Sequence, residues 1–209
     1  MSNIVEPLVG KIATRIRAER DRRGWTLVQL AEASGVSRAM ISRIENGESS
    51  PTAVVLGKLS AAFQLSVSEL LARAERESDQ GSVTGVDTTD PADRTGPTGL
   101  TRQADLPTWR DPDTGYRRRQ ITGPDFPADI TEVRLPAGAG VAYPAAAFAF
   151  IRQTVWVLDG RLTFHEGATV HELDAGDTLE LGEPAPCTFQ NSTTAECRYV
   201  VIVTRGRRQ

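Results

Sequence analysis

QLAEASGVSRAMISRIENG, residues 29–47, decides the fold of the first third of this chain. It reads as two short helices joined by a tight turn. Ala31 is small enough to let the second helix cross the first. Gly35 takes the left-handed conformation that stops a helix abruptly. Val36 fills the angle between the helices, and Ser37 is an N-cap for the second. Ile41 and Ile44 lie three apart and face inward, while Arg38, Ala39, Ser42 and Arg43 face outward. A short helix with an apolar underside and a basic, hydrogen-bonding outer face suits the major groove of DNA.

Working outward, LVGKIATRIRAERDRR (8–23) is an amphipathic helix, with Leu8, Ile12 and Ile16 at four-residue steps. Gly24 ends it, and Thr26 caps a helix over 27–33. The outward-facing helix runs from Ser37 to Glu45 and stops at Asn46-Gly47. Thr52 caps a fourth helix through Phe63, with Val55, Leu56, Leu59 and Ala62 on its apolar side. Gln64-Leu65 makes a turn, and Ser66 or Ser68 starts a last helix ending near Leu71. The expected core is Ile12, Ile16, Leu27, Leu30, Val36, Ile41, Ile44, Leu56, Leu59 and Leu70.

The whole chain, 209 residues with 39% hydrophobic and 24% charged, has room for one large domain or two small ones. No apolar run is long enough for a membrane span, and MSNIVEPLVGK lacks the pattern of a secretory signal. Cys187 and Cys197 do not make a disulfide framework, so a reducing cytoplasm is expected. The net charge of −3 is unevenly spread. Residues 1–76 hold 11 Lys+Arg against 8 Asp+Glu, whereas 77–104 hold 2 against 5 and 105–209 hold 11 against 14. The basic end carries the paired helices, and the local patch is what meets phosphates.

Periodic signals stop over 77–104, where SDQGSVTGVDTTDPADRTGPTG cannot bury enough surface to offset ordering. This segment reads as a flexible linker with a root-mean-square span of about 30 Å, leaving the two ends free to reorient. From Leu106 the pattern turns to period two. Candidate strands are 116–122, 129–135, 147–157, 161–165, 169–173, 178–181, 186–190 and 197–204, separated by Gly- and Asp-containing turns. Many short, closely spaced strands indicate an all-β sandwich or barrel. WRDPDTGYRRR (109–119) reads as an edge strand whose charges guard against edge pairing, or as a source of Arg118 or Arg119 for an anionic effector.

RIRAERDRRGWTLVQLAEASGVSRAMISRIENGESSPT, with LSAAFQLSVSELL behind it, resembles the Xre/Cro-type helix-turn-helix domain of phage repressors and bacterial regulators. The resemblance implies base-edge contacts from Arg38, Ala39, Ser42 and Arg43, with arginine suited to guanine and Ala39 to a thymine methyl. It implies phosphate contacts from Thr26, Ser37 and Asn46. Lys11, Arg15 and Arg17 are further candidates for the DNA backbone or form a solvated helix face, and Glu45 is expected to pair with a local arginine.

Residues 106–204 resemble the cupin, a small jelly-roll barrel. Gly140 and Gly160 stand at the ends of the first cupin motif, and Gly176-Asp177 and Asn191 frame the second. Ala146, Phe148, Gln153 and Cys187 occupy the positions where the family places two histidines, a glutamate and a last histidine. Ala and Phe offer no lone pair, so no metal and no cofactor is expected. What remains is a lined cavity. Tyr143, Phe148, Gln153, Cys187 and Phe189 are its expected effector contacts, and Ala146, Phe150, Val155 and Val157 are expected to point inward with them. Trp156, on the other side of its strand, suits a sheet-packing or dimer face.

The expected chain is therefore multidomain. An N-terminal all-α five-helix helix-turn-helix domain (8–76) precedes the flexible linker (77–104) and a C-terminal all-β cupin barrel (105–204). The function that follows is a cytoplasmic, homodimeric transcriptional regulator that binds double-stranded operator DNA. Its metal-free barrel senses a small molecule or dimerises the protein, with no enzymatic activity and no membrane partner. The alternatives are a cupin enzyme tethered to DNA and an antitoxin-like interaction module.

Overall fold

A computed structural model describes residues 6–76, 100–123 and 126–205. Five helices come first: α1 (Glu6–Arg22), α2 (Leu27–Ser34), α3 (Arg38–Glu45), α4 (Ala53–Ala62) and α5 (Val67–Arg76). Their boundaries follow from single residues. Thr26 accepts from the Gln29 N–H, and Gln29 reaches back to the Thr26 N–H, a reciprocal capping box. Ser37 and Thr52 accept from Met40 and Val55 in the same way. Gly35 stops α2 at φ +65°. Gln64, the one non-glycine with positive φ among the described residues (+56°), makes the turn into α5. That last helix starts at Val67, with Ser66 accepting from the Glu69 N–H, and runs past the expected end near Leu71. Of the expected helical core, only Leu27 is half-buried, and the rest is buried.

Ten strands follow, in two antiparallel sheets. They are β1 (Thr108–Arg110), β2 (Arg117–Gln120), β3 (Asp129–Leu135), β4 (Gly140–Tyr143), β5 (Ile151–Asp159), β6 (Arg161–Glu166), β7 (Thr169–Asp174), β8 (Thr178–Glu180), β9 (Cys187–Gln190) and β10 (Cys197–Arg205). One sheet has the order β1-β2-β3-β10-β5-β8 and the other β4-β9-β6-β7. Alternate residues of β3, β5 and β10 point inward: Val133, Leu135, Val155, Val157, Tyr199, Val201 and Val203. They meet Val141, Tyr143, Leu162, Phe164 and Phe189 of the smaller sheet. Phe189 stacks on Tyr199 at 5.7 Å between centroids, tying the sheets together. Asn191, fully buried, donates to the carbonyls of Leu135, Pro136 and Ala195, closing the end of the barrel. The arrangement is a two-sheet antiparallel β-sandwich, within the all-β class that the alternation predicts.

Three features differ from expectation. β1 and β4 are strands that the alternation did not mark. The segment 147–150 is not the start of a strand, because Pro144 leads into a 3₁₀ turn, Ala145–Phe148, and β5 begins only at Ile151. A 3₁₀ turn breaks the period of two, so Ala146 and Phe150 are exposed rather than inward, Phe150 at 57%.

The expected linker lies outside the described residues apart from 100–104. The units that it was expected to let reorient are in direct contact. Asp111, beside β1, accepts the backbone N–H of Ala53 with Oδ2 and so caps the first turn of α4 from the other domain. A Cβ on Gly57 of α4 would lie 2.5 Å from the Tyr143 ring, so the glycine is what lets α4 lie on β4. Ser68 of α5 meets Thr131 of β3 and Arg118 of β2.

Candidate functional site

α3 presents Arg38, Ala39 and Arg43 as exposed side chains and Ser42 as half-exposed, above a buried underside of Ile41 and Ile44. Arg38 makes no ion pair or hydrogen bond among the described residues, and Arg43 only brushes the Met40 sulfur at 3.9 Å. α3 is held from behind. Arg20 of α1 donates from Nε and Nη2 to the two carboxylate oxygens of Glu45 at 2.7 and 2.8 Å. This two-pronged pair fixes the rotation of α3 about its axis and agrees with the local role expected of Glu45. Thr26, Ser37 and Asn46 are exposed around the same face. The Thr26 and Ser37 hydroxyls accept capping bonds and keep their own hydrogens to donate. The Asn46 Oδ1 accepts from Arg17 at 3.2 Å.

Arg15 departs from the expected solvated or DNA-facing role, because its side chain is buried and paired with Glu19. Glu19, 0% exposed, also receives Arg23 at 2.6 Å and Arg73 of α5 at 2.8 Å. Burial pushes the Glu19 carboxyl up, but the hydrogen bonds from Arg15, Arg23 and Arg73 outweigh it and bring the pKa down to about 2.

The barrel holds a cavity of about 40 Å³, enough for roughly three water molecules. Tyr143, Phe148, Gln153 and Phe189 of the expected effector contacts line it. Cys187 is a correction: it is buried but not part of the lining. It is the first residue of β9, paired with Tyr143 and Glu166, and its thiol donates to the Ala185 carbonyl at 3.3 Å. Burial, and the charge of Glu166, push its thiol up to about 12. The sequence reading missed Tyr116, Tyr199, Val201 and Val203, although the alternation of β10 carried the signal for the last three. It also missed Ser66, Val67 and Ser68, which belong to the helical domain and line the same cavity. A second cavity of about 260 Å³ lies in the groove between the start of α5 and the 3₁₀ turn, lined in part by Ala146 and Phe150. The two cavities share Ser66, Ala147 and Ile151.

Among the described residues no group of three or more His, Cys, Asp or Glu side chains is placed to hold a metal ion. Of the four motif positions, Ala146 points outward, Phe148 and Gln153 line the cavity, and Cys187 lies beyond it. No single described helix is long and apolar enough to cross a membrane.

Residues 16–70 match the HTH_3 helix-turn-helix family model. The chain is 40% identical over 67 residues to the HTH-type transcriptional regulator SutR of Escherichia coli, a match covering 32% of this chain and 38% of that protein. It is 38% identical over 72 residues to the competence pilus inhibition repressor of Acinetobacter baylyi, covering 34% of this chain and 66% of the relative. These matches thus span between 38% and 66% of the relatives' own lengths. An HTH_3 family transcriptional regulator from Vibrio cholerae superposes with a TM-score of 0.70 at 22% identity, over 96% of this chain and 98% of that one. At that identity the likeness is one of fold.

Proposed function

We propose, on the premise that residues 16–70 are an Xre-type helix-turn-helix domain joined to a cupin barrel, that this protein is a ligand-responsive regulator of transcription. The observation that carries the DNA-binding reading is the free face of α3. Arg38, Ala39 and Arg43 stand exposed on a helix whose rotation is fixed by Arg20 and Glu45. Arg38 and Arg43 read base edges in the major groove with Ala39 and Ser42, while Thr26, Ser37 and Asn46 anchor phosphates.

The barrel acts by binding rather than catalysis. Its cavity is lined in part by the start of α5, so an occupant of the barrel alters the seat of the helical domain. Tyr143, Phe148, Gln153 and Phe189 are its effector contacts. The outer face of the larger sheet supports pairing with a second copy. Trp156, 44% exposed, lies in register with Val200, and Ile202 with Ile130, a short apolar diagonal across β5, β10 and β3 flanked by Glu132 and Thr154. A dimer presents two α3 helices to half-sites about 34 Å apart, and the effector sets their spacing.

The test is selection of a binding sequence from randomised duplexes, followed by titration of variants. Arg38→Ala with Arg43→Ala abolishes specific binding and leaves the circular dichroism spectrum intact. Unchanged specific binding refutes the assignment of α3. Trp156→Arg yields a monomer by light scattering, and an unaltered dimer refutes the assignment of that face.

A further inference from the structure

Arg118 of β2 is a buried cation without an acid. It is 7% exposed, and no described carboxylate lies within ion-pair distance of it. Its Nη1 donates to the Tyr116 hydroxyl at 3.3 Å, and its Nη2 to Ser68 Oγ at 2.5 Å and Thr131 Oγ1 at 3.4 Å. Its Nε–H is buried with no acceptor. The Tyr143 hydroxyl, buried in the wall of the same cavity, lies beside the Tyr116 hydroxyl and the Arg118 guanidinium. A buried guanidinium facing only neutral oxygens is costly unless an anion completes it.

Nε–H and Nη2–H lie along one edge of the planar guanidinium, the edge that grips a carboxylate in two parallel hydrogen bonds. One prong is vacant, and the other is shared between Ser68 of α5 and Thr131 of β3. Burial keeps the Tyr143 and Tyr199 phenols neutral, because it drives both well above their usual range, so Tyr143 is available as a third donor. Phe148, Ile151, Phe189 and Val201 supply an apolar remainder to the wall.

Resting on the sensing role proposed above, we infer that the barrel cavity is a site for a small carboxylate with a short apolar tail. Arg118 Nε and Nη2 and the Tyr143 hydroxyl hold the carboxylate, whose arrival displaces Ser68 and loosens α5 from the barrel. The single positive charge matches a monoanion. A phosphate dianion would leave a surplus charge buried among neutral phenols. The present cavity is too small for such a ligand while Ser66 and Ser68 line it. The neighbouring groove, which shares Ser66, Ala147 and Ile151 with it, gives both the entry path and the space opened by the shift of α5.

The experiment is calorimetric titration of the full chain with unbranched carboxylates from propionate to hexanoate, each beside its neutral amide, and with inorganic phosphate. At least one carboxylate saturates a single site per chain, and its amide binds at least tenfold more weakly. Arg118→Lys, which keeps the charge and loses the fork, weakens binding at least tenfold. Ser68→Ala, which removes the competing hydroxyl, tightens it. Amides 66–70 exchange faster with deuterium at saturation. No saturation by any carboxylate, equal binding of acid and amide, wild-type affinity in Arg118→Lys, unaltered affinity in Ser68→Ala, unchanged exchange over 66–70, or phosphate binding in place of carboxylates overturns the inference. The Arg38→Ala, Arg43→Ala protein binds the carboxylate like the wild type, so loss of DNA recognition and loss of this site are read separately.

Discussion

Replacing Glu19 by glutamine removes one charge and almost no volume from the point where α1 and α5 are joined. Four arginines converge on that carboxylate, Arg22 at 3.4 Å and, closer in, Arg15 and Arg23 from its own end of the chain and Arg73 from α5. Their pull, opposed by burial, takes the carboxyl from 4.5 to about 2. Lowering it that far contributes about 3 kcal/mol of stability, at roughly 1.4 kcal/mol per pH unit. The sign follows from proton binding. Between about 2 and 4.5 the unfolded chain holds a proton on Glu19 that the folded chain does not. The stabilisation is therefore complete above pH 4.5 and is lost as pH falls through the folded value of about 2. Urea denaturation followed by far-ultraviolet circular dichroism reads the helical domain. Glu19→Gln is less stable than the wild type by about 3 kcal/mol at neutral pH. The gap is constant down to pH 4.5 and closes below it. A gap that persists unchanged into that acid window, or no gap at neutral pH, refutes the account of Glu19 as the charged hub of this domain.

Two further perturbations test the packing. Gly57→Ala puts a methyl 2.5 Å from Tyr143 Cδ1 and weakens the seat of α4 on the barrel by about 1–3 kcal/mol, seen as faster hydrogen exchange across β4. Gly10→Ala, which meets nothing within 4 Å, stabilises α1 instead and leaves β4 exchange unaltered. The Cys187 and Cys197 thiols, held near 12 and 11, resist a disulfide reagent at pH about 8 until the chain is denatured. Rapid labelling of one equivalent in the native protein contradicts their burial.

The helical domain was legible because its boundaries rest on local chemistry. Thr26, Ser37 and Thr52 cap with their own side chains, Gly35 stops α2 through its own φ, and Ile41 and Ile44 mark the buried side of α3 by spacing alone. The barrel was legible in outline, since turns and alternation reveal most of its strands. Its cavity was legible only in part. Nothing in PAAAF distinguishes a 3₁₀ turn from the start of a strand, so Ala146 and Phe150 were carried inward on a period that does not hold there. Cys187 and Phe189 share the inward side of β9, and spacing alone does not say that only Phe189 reaches the cavity. The lining of the cavity by Ser66 and Ser68, and the lone charge of Arg118 beside them, join residues 50 positions apart. No local pattern records such a meeting.

The Asp111 carboxylate, seated on the first turn of α4, bears on how such chains can be recombined. Although the two halves read as separate domains on a flexible linker, the helical half borrows part of its stability from a residue that lies beyond the join. Excising it at residue 76 strips α4 of that acceptor and bares the surface around Gly57. A different barrel grafted in its place must supply an acid at the same point. The docked pair is the unit that folds together, and the seam visible in the sequence is not the seam along which it comes apart.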